Sequence, residues 1–310
     1  MKPVVFIHTN EQQMLGARLL EYSLKARSLR PDAFEVRILR VEETPQLYPH
    51  REGRRFLHSG YVRRWRNRDL QTHDPLRMRA PELMGYRGRA LMLDPDIFAI
   101  GDVNQLLTRD MGPHAILCRK RPNQRPSTAV MLLDCARLKH WRWEQALEEV
   151  FAMRRDLLEW QHLADDAPET IGLLEDRWND LDHLDADTKL LHNSRQITQP
   201  WKTGLPIDFD LDAWGAYPYR SGFHPGDLRA RLRQRLHAPR LGEHGLYQRH
   251  PDPKQEEFFF LLLGEALERR VISESFVTEQ MRKGYLRADA LEMVAGYAAA
   301  PARGAASIIK

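Results

Sequence analysis

The run Ala90-Leu91-Met92-Leu93 closes on Asp94-Pro95-Asp96 and resumes at Ile97-Phe98. Consecutive apolar residues bounded by turn formers predict a buried strand. The two aspartates then stand at its C-terminal end, where open α/β sheets place their ligands. Carboxylates one residue apart at a strand mouth can share one hard cation, and such a cation usually sits against phosphate oxygens. The segment therefore points to chemistry on a metal-bound nucleotide. A haloacid-type phosphohydrolase also ends a strand in an aspartate pair. That family places its pair near the N-terminus and follows it with a small hydroxyl residue, whereas here Phe98 follows.

The surrounding pattern predicts an α/β fold. Val4–Ile7 reads as a first strand, His8-Thr9-Asn10 as a turn, and Thr9 or Asn10 as the N-cap of a helix from about Glu11 to Arg27. Leu15, Leu19, Leu20 and Leu24 give that helix its apolar face, and Phe34–Leu39 alternates like a second strand. Strand, helix, strand is the opening of a nucleotide-binding α/β half. A helix over Leu76–Met84, buried strands at Ala115–Cys118 and Ala129–Leu133, and a helix over Trp141–Arg155 follow. Residues 156–187 are acidic and irregular, and 196–227 read as a long ordered loop. Lys254–Arg269 predicts a helix that is apolar all round at Phe258–Leu263 and hence buried.

The chain has 310 residues, with 42% hydrophobic and 29% charged, a globular composition. No apolar run is long enough to span a membrane. The N-terminus enters a strand-like run at once, without the apolar core and cleavage site of a signal peptide. Cys118 and Cys135 form no CxxC, so neither a disulfide framework nor a zinc ribbon is expected, and a reducing cytoplasm is the expected location. The net charge of +4 is uneven: residues 51–68 hold seven arginines against the single acid Glu52, with Tyr61 and Trp65 among them. This segment reads either as a solvated helix or loop, or as an anion-binding face for nucleotide, polysaccharide or a peripheral membrane contact. No nucleic-acid motif accompanies it.

A second constellation lies at Lys189-Leu190-Leu191-His192-Asn193-Ser194, followed by Gln199-Pro200-Trp201-Lys202. A neutral imidazole added to two carboxylates makes a donor set suited to Mn²⁺. Lys202 and the Pro200-Trp201 turn could neutralise a diphosphate.

In their order along the chain these segments resemble glycosyltransferase family eight, of the GT-A fold. His8-Thr9-Asn10 fits the family's nucleotide turn, Arg77 its arginine-bearing helix, and Asp94-Pro95-Asp96 its DxD. Ser127-Thr128-Ala129 fits the sugar-side strand, Trp178-Asn179 the element before the histidine, and His192 to Trp201 the late element. Gln161 lies where the family has an Asp-Gln segment beside the sugar, with Asp165 or Asp166 nearby. Ser194 and Arg195 stand where glycine is the rule, and Gln199 replaces a lysine, which leaves Lys202 or Arg195 as the phosphate cation.

The resemblance implies a Rossmann-like mixed sheet flanked by helices, with residues 1–205 as the catalytic core and 206–310 as a loop-rich, helical extension packed on it. It implies a divalent ion, Mn²⁺ or Mg²⁺, on Asp94, Asp96 and His192, with Asp94, Asp96 and Gln161 as catalytic residues. His8, Thr9, Asn10, Arg77, Pro95, Ser127, Thr128, Trp201 and Lys202 would bind a UDP-sugar donor. Transfer with retention to a glycan, lipid-linked or protein acceptor is the implied reaction. The alternative is a non-catalytic glycan- or nucleotide-binding protein on a degenerate form of this fold.

Overall fold

The computed structural model describes residues 1–120, 125–209, the backbone of 217–218, and 245–299. A six-stranded mixed sheet forms its centre. Strand β1 (Val4–Thr9) leads through a 3-10 turn into helix α1 (Met14–Ala26), and β2 (Glu35–Arg40) returns parallel to β1. The hairpin β3 (Arg55–His58) and β4 (Tyr61–Arg64) comes next, then a 3-10 stretch over Leu70–Met78 and the short helix α2 (Ala80–Leu83). Strand β5 (Arg89–Leu93) lies parallel to β1 on its other side. After β6 (Ile97–Ala99) and α3 (Asn104–Leu107), strands β7 (Ile116–Lys120) and β8 (Pro126–Asp134) pair antiparallel, and β8 also pairs antiparallel with β5. Helices α4 (Trp143–Phe151) and α5 (Leu157–Gln161) precede β9 (Ile171–Leu173), which gives the order β2-β1-β5-β8-β7-β9. The mixed α/β sheet expected of a GT-A architecture is thus what the chain forms.

Both faces of the sheet are buried, which is why its central strands read as continuous apolar runs. Phe6, Met92 and Met131 point to one side with Trp143 and Leu147 of α4; Val5, Ile7, Leu91 and Leu132 point to the other with Ala17, Leu20 and Leu24 of α1. A small second sheet joins β10 (Asp180–Leu181), β11 (Leu190–His192) and β6, and β12 (Tyr217–Pro218) adds a strand to the β3–β4 hairpin. Helix α6 (Pro253–Glu268) is buried at every residue from Phe258 to Leu263, as its sequence predicts. It packs with Leu15 and Leu19 of α1, Phe98 and Trp201. Helices α7 (Glu274–Arg282) and α8 (Ala290–Ala299) complete the described chain.

Three elements differ from expectation. The α1 helix starts at Met14 because Asn10 caps a 3-10 turn instead, accepting from the Gln13 N–H at 3.2 Å. Pro81 lacks the N–H that an α-helix over Leu76–Met84 would need to bond the Arg77 carbonyl, so that segment splits into a 3-10 stretch and a single turn. The basic segment is a β-hairpin rather than a helix or open loop. Of the loop expected at 196–227, residues 196–209 contain short 3-10 turns, and the remainder lies outside the described residues apart from the 217–218 backbone.

Candidate active site

Register explains why distant residues meet. Ile7 of β1 lies opposite Leu93 of β5, so the residues that follow, His8 and Asp94, emerge side by side. His192 of β11 lies opposite Ile97 of β6, and the Asn193 N–H donates to the Asp96 carbonyl at 3.1 Å. That pairing carries the imidazole to Asp96. One ligand atom from each of Asp94, Asp96 and His192 falls within 4.8 Å of the others. A cleft of about 730 Å³ opens over them, lined also by Pro95, Arg77, Thr128 and Gln161.

The two aspartates occupy opposite environments. Arg77 clamps Asp94, with Nε donating to Oδ1 at 3.1 Å and Nη2 to Oδ2 at 2.8 Å, and His8 Nε2 lies 2.7 Å from Oδ1. Burial alone would raise this carboxyl, but Arg77 and then His8 outweigh it and hold Asp94 far below the usual range. Asp96 is pushed well above the usual range by burial and then by the negative charge of Asp94. Its Oδ2 accepts from Gln199 Nε2 at 3.1 Å, whereas its Oδ1 is buried and has no hydrogen-bond donor among the described residues.

That orphan oxygen lies 3.5 Å from His192 Nε2. The other ring nitrogen, Nδ1, is 2.8 Å from Asn179 Oδ1, while Asn179 Nδ2 donates to Ser127 Oγ at 3.1 Å. With the amide assigned by this network, Nδ1 carries the proton and Nε2 presents a lone pair toward Asp96. Two lone pairs facing each other across a buried gap are favourable only with a cation or proton between them. The donor set, two carboxylates and one imidazole, and the orphan oxygen both fit a divalent ion such as Mn²⁺ or Mg²⁺.

Other predicted residues fall elsewhere. His8 reaches the site through Asp94 but is itself fully buried. Thr9 Oγ1 donates to the Asn10 carbonyl, and Asn10 Nδ2 donates to Leu70 O and Thr72 Oγ1, so both side chains serve the fold. Ser127 sits behind the cleft as the partner of Asn179. Trp201 and Lys202, expected at the diphosphate, lie in the interior instead. Trp201 stacks on Phe259 with centroids 4.8 Å apart, and Lys202 is fully buried in an ion pair with Asp208 over the Tyr247 ring. A buried ammonium so paired is not free for a phosphate. Asp165 pairs with Arg155, and Asp166 accepts from Trp141 Nε1 at 2.9 Å; both lie outside the cleft lining. Arg195 has an exposed side chain between Ser194 and Gln196, which do line the cleft.

Several site residues were not assigned a role from sequence. Gln199 reads there as a missing lysine; it is the hydrogen-bond partner of Asp96. Asn179 reads as motif context; it orients His192. His73 and Asp74 line the cleft one helical turn before Arg77, and Asp74 Oδ1 accepts from Arg77 Nη2 at 3.4 Å. Their signal was the Asp74–Arg77 spacing of three.

No protein-family model matches the chain, and no curated protein matches it. Among solved structures, the bifunctional glycosyltransferase WbbM aligns over 65% of this chain and 47% of its own, at 11% identity and a TM-score of 0.45. The glycosyltransferase GlyE of Streptococcus pneumoniae aligns over 65% of this chain and 57% of its own, at 16% identity and a TM-score of 0.44. The aligned region spans about half the length of those two chains. The galactosyltransferase LgtC, solved with donor and acceptor sugar analogs, aligns over 77% of this chain and 97% of its own, at 13% identity and a TM-score of 0.41. Such values mark a partial overlap of chain paths, so function rests on the geometry of the site itself.

Proposed function

We propose that this cleft transfers a glycosyl group from a UDP-sugar to an acceptor hydroxyl, with retention, using a divalent ion held by Asp94, Asp96 and His192. One observation carries the reading: the buried, donor-less Oδ1 of Asp96 faces His192 Nε2 beside a second, firmly ionised aspartate. When bound, the ion would supply Lewis-acid stabilisation of the charge that grows on the departing diphosphate. Asn179 keeps the imidazole lone pair toward the site, Gln199 fixes one oxygen of Asp96, and Arg77 with His8 holds Asp94. Thr128 and Gln161 line the cleft where the sugar would lie, and the Ser194–Gln196 segment, with Arg195, is the candidate diphosphate wall. The nucleoside would lie against Gln13, Leu70 and Gln71, which line the cleft beside the His8-Thr9-Asn10 turn. The acceptor oxygen bonds to the anomeric carbon as the bond from that carbon to phosphate breaks, and a phosphate oxygen takes the hydroxyl proton. The UDP and retention parts draw on the motif resemblance, as does the extension formed by residues 206–310.

The test has two stages. UDP should raise the melting temperature only when Mn²⁺ or Mg²⁺ is present, and a screen of UDP-sugars should then find one from which UDP is released. Asp96→Asn keeps size but removes charge from the ligand set, so turnover should fall by roughly 100-fold or more. Metal-dependent UDP binding without release from any donor would favour the non-catalytic alternative. Turnover by the variant at the wild-type rate would refute the metal mechanism.

A further inference from the structure

We propose that the acceptor of this transferase carries an anionic group, a phosphate or a carboxylate, which docks in a side pocket at Arg63. The proposal rests on the transferase reading and names the class of its acceptor. The arginine-rich segment folds as the β3–β4 hairpin beside the cleft, and the structure sorts its charges. Arg51 is buried, paired with Glu148 and set over the Phe151 ring at 4.6 Å. Arg64 Nη1 donates to the Gly53 carbonyl at 2.9 Å. Arg63 differs in having no hydrogen bond or ion pair from its guanidinium among the described residues, its Nε being buried and unpartnered like that of Arg64.

Arg63 lines two adjoining cavities. One is the cleft over the aspartates; the other is a pocket walled by Phe56, Trp65 and Arg64. His58, Gln71 and Asp74 also belong to both, so the two spaces meet along this edge. The pocket offers about 40 Å³, room for roughly three water molecules. That suits a carboxylate or phosphate and excludes a sugar ring, which would stay in the cleft.

The local charge favours an anion. Arg63, Arg64 and Arg66 line the pocket against Asp69 and Asp74. Both acids are already engaged: Asp69 accepts from the Gln71 N–H at 2.7 Å, and Asp74 faces Arg77 at 3.4 Å. His58 adds no charge at neutral pH, because burial and then Arg63 lower it to about 4. A cavity-lining guanidinium that no carboxylate among the described residues neutralises, at the edge of a substrate cleft, gains a charge-assisted hydrogen bond when an anionic group arrives.

The experiment measures binding of three probes to the UDP–Mn²⁺ complex by calorimetry: methyl β-D-glucoside, methyl β-D-glucuronide and methyl β-D-glucoside 6-phosphate. At least one anionic probe should bind about tenfold tighter than the neutral one, with an advantage that fades in salt, and the stronger of the two identifies carboxylate or phosphate. Arg63→Gln should erase that preference while UDP–Mn²⁺ affinity and melting temperature stay within error, and Arg63→Lys should restore part of it. Equal binding of all three probes, no binding of any of them by a protein that binds UDP, or a preference that survives in Arg63→Gln would overturn the proposal. Failure of UDP itself to bind would instead refute the transferase reading, and this inference with it.

Discussion

Replacing Gly16 by alanine sets two known effects against each other. Gly16 lies in α1, against the turn between the two aspartates, and a Cβ built there would meet the Pro95 carbonyl oxygen at 2.4 Å. To reach an ordinary contact of 3.4 Å, helix and turn must separate by about 1 Å. Alanine favours a helix interior over glycine by about 1 kcal/mol. Overpacking against a backbone atom costs about 1–3 kcal/mol, so a net loss of up to about 2 kcal/mol is expected. For a chain of this size that lowers the melting temperature by a few degrees. The effect on the site should be larger in proportion. Metal ligands tolerate displacements of only about 0.2 Å, and both Asp94 and Asp96 flank the displaced proline. Mn²⁺ affinity should therefore weaken by about tenfold or more, read as free Mn²⁺ by electron paramagnetic resonance beside a thermal melt. A variant that melts at or above the wild-type temperature and titrates Mn²⁺ identically would refute the contact between α1 and the aspartate turn.

Asn179→Ala removes the acceptor that fixes the His192 tautomer, so Mn²⁺ affinity should drop by about 10- to 100-fold with the carboxylates untouched; unchanged affinity would show that Asn179 does not orient the ring. Lys202→Met leaves Asp208 without its cation and should cost about 3–5 kcal/mol in a denaturant melt, while UDP–Mn²⁺ affinity stays near wild type; a selective loss of UDP binding would return Lys202 to the diphosphate. The raised Asp96 carboxyl means that the metal-free fold is favoured by its proton, a contribution present at low pH and lost as pH rises through the folded-state value. Asp94, held low, does the reverse and loses its contribution only in strong acid. At the proposed site Mn²⁺ would compete with the Asp96 proton, so the melting-temperature gain from Mn²⁺ should grow from mildly acidic to neutral pH, and a pH-independent gain would contradict this. Cys118 and Cys135 are buried and their thiols are pushed up to about 12, so neither should react with a thiol reagent in the native state; rapid labelling would refute their placement.

The strands around the aspartates were legible because burial on both faces leaves a contiguous apolar run that no charged residue interrupts, as at Leu91–Leu93 and Val130–Leu133. The same holds for α6, whose Phe258–Leu263 run has no polar face. The convergence of Asp94, Asp96 and His192 was legible through motif order, because each stands at the end of a short strand. What the sequence hides is the destination of polar side chains. Lys202 and Arg195 are both cations near Pro200-Trp201, and only packing decides that one is buried against Asp208 while the other is exposed. Gln199 looks like the loss of a charge, yet its amide reaches an aspartate 103 positions earlier. The basic hairpin was ambiguous for the same reason: seven like charges carry no periodicity that says which of them a neighbouring element will pair.

The opposed environments of Asp94 and Asp96 bear on how the site works. An ion bound between two equally free carboxylates would draw both inward, and the strand end would move with it. Here Arg77 and His8 occupy Asp94 from one side, so its oxygens cannot follow an ion. Asp96 is held at one oxygen by Gln199 and open at the other. The fold has already met the repulsion between the two acids, partly through the Arg77 clamp and partly by raising the Asp96 carboxyl, which holds its proton more tightly than a free carboxylate does. A cation held there would compete with that proton for the open oxygen of Asp96, whose other oxygen Gln199 already fixes. On this view Arg77 matters to the metal without touching it. Its replacement by methionine should let Asp94 rise toward the ordinary carboxylate range, since His8 would then be the main group left to oppose burial, and should weaken Mn²⁺ affinity measured by titration; unchanged affinity would refute the role given to Arg77.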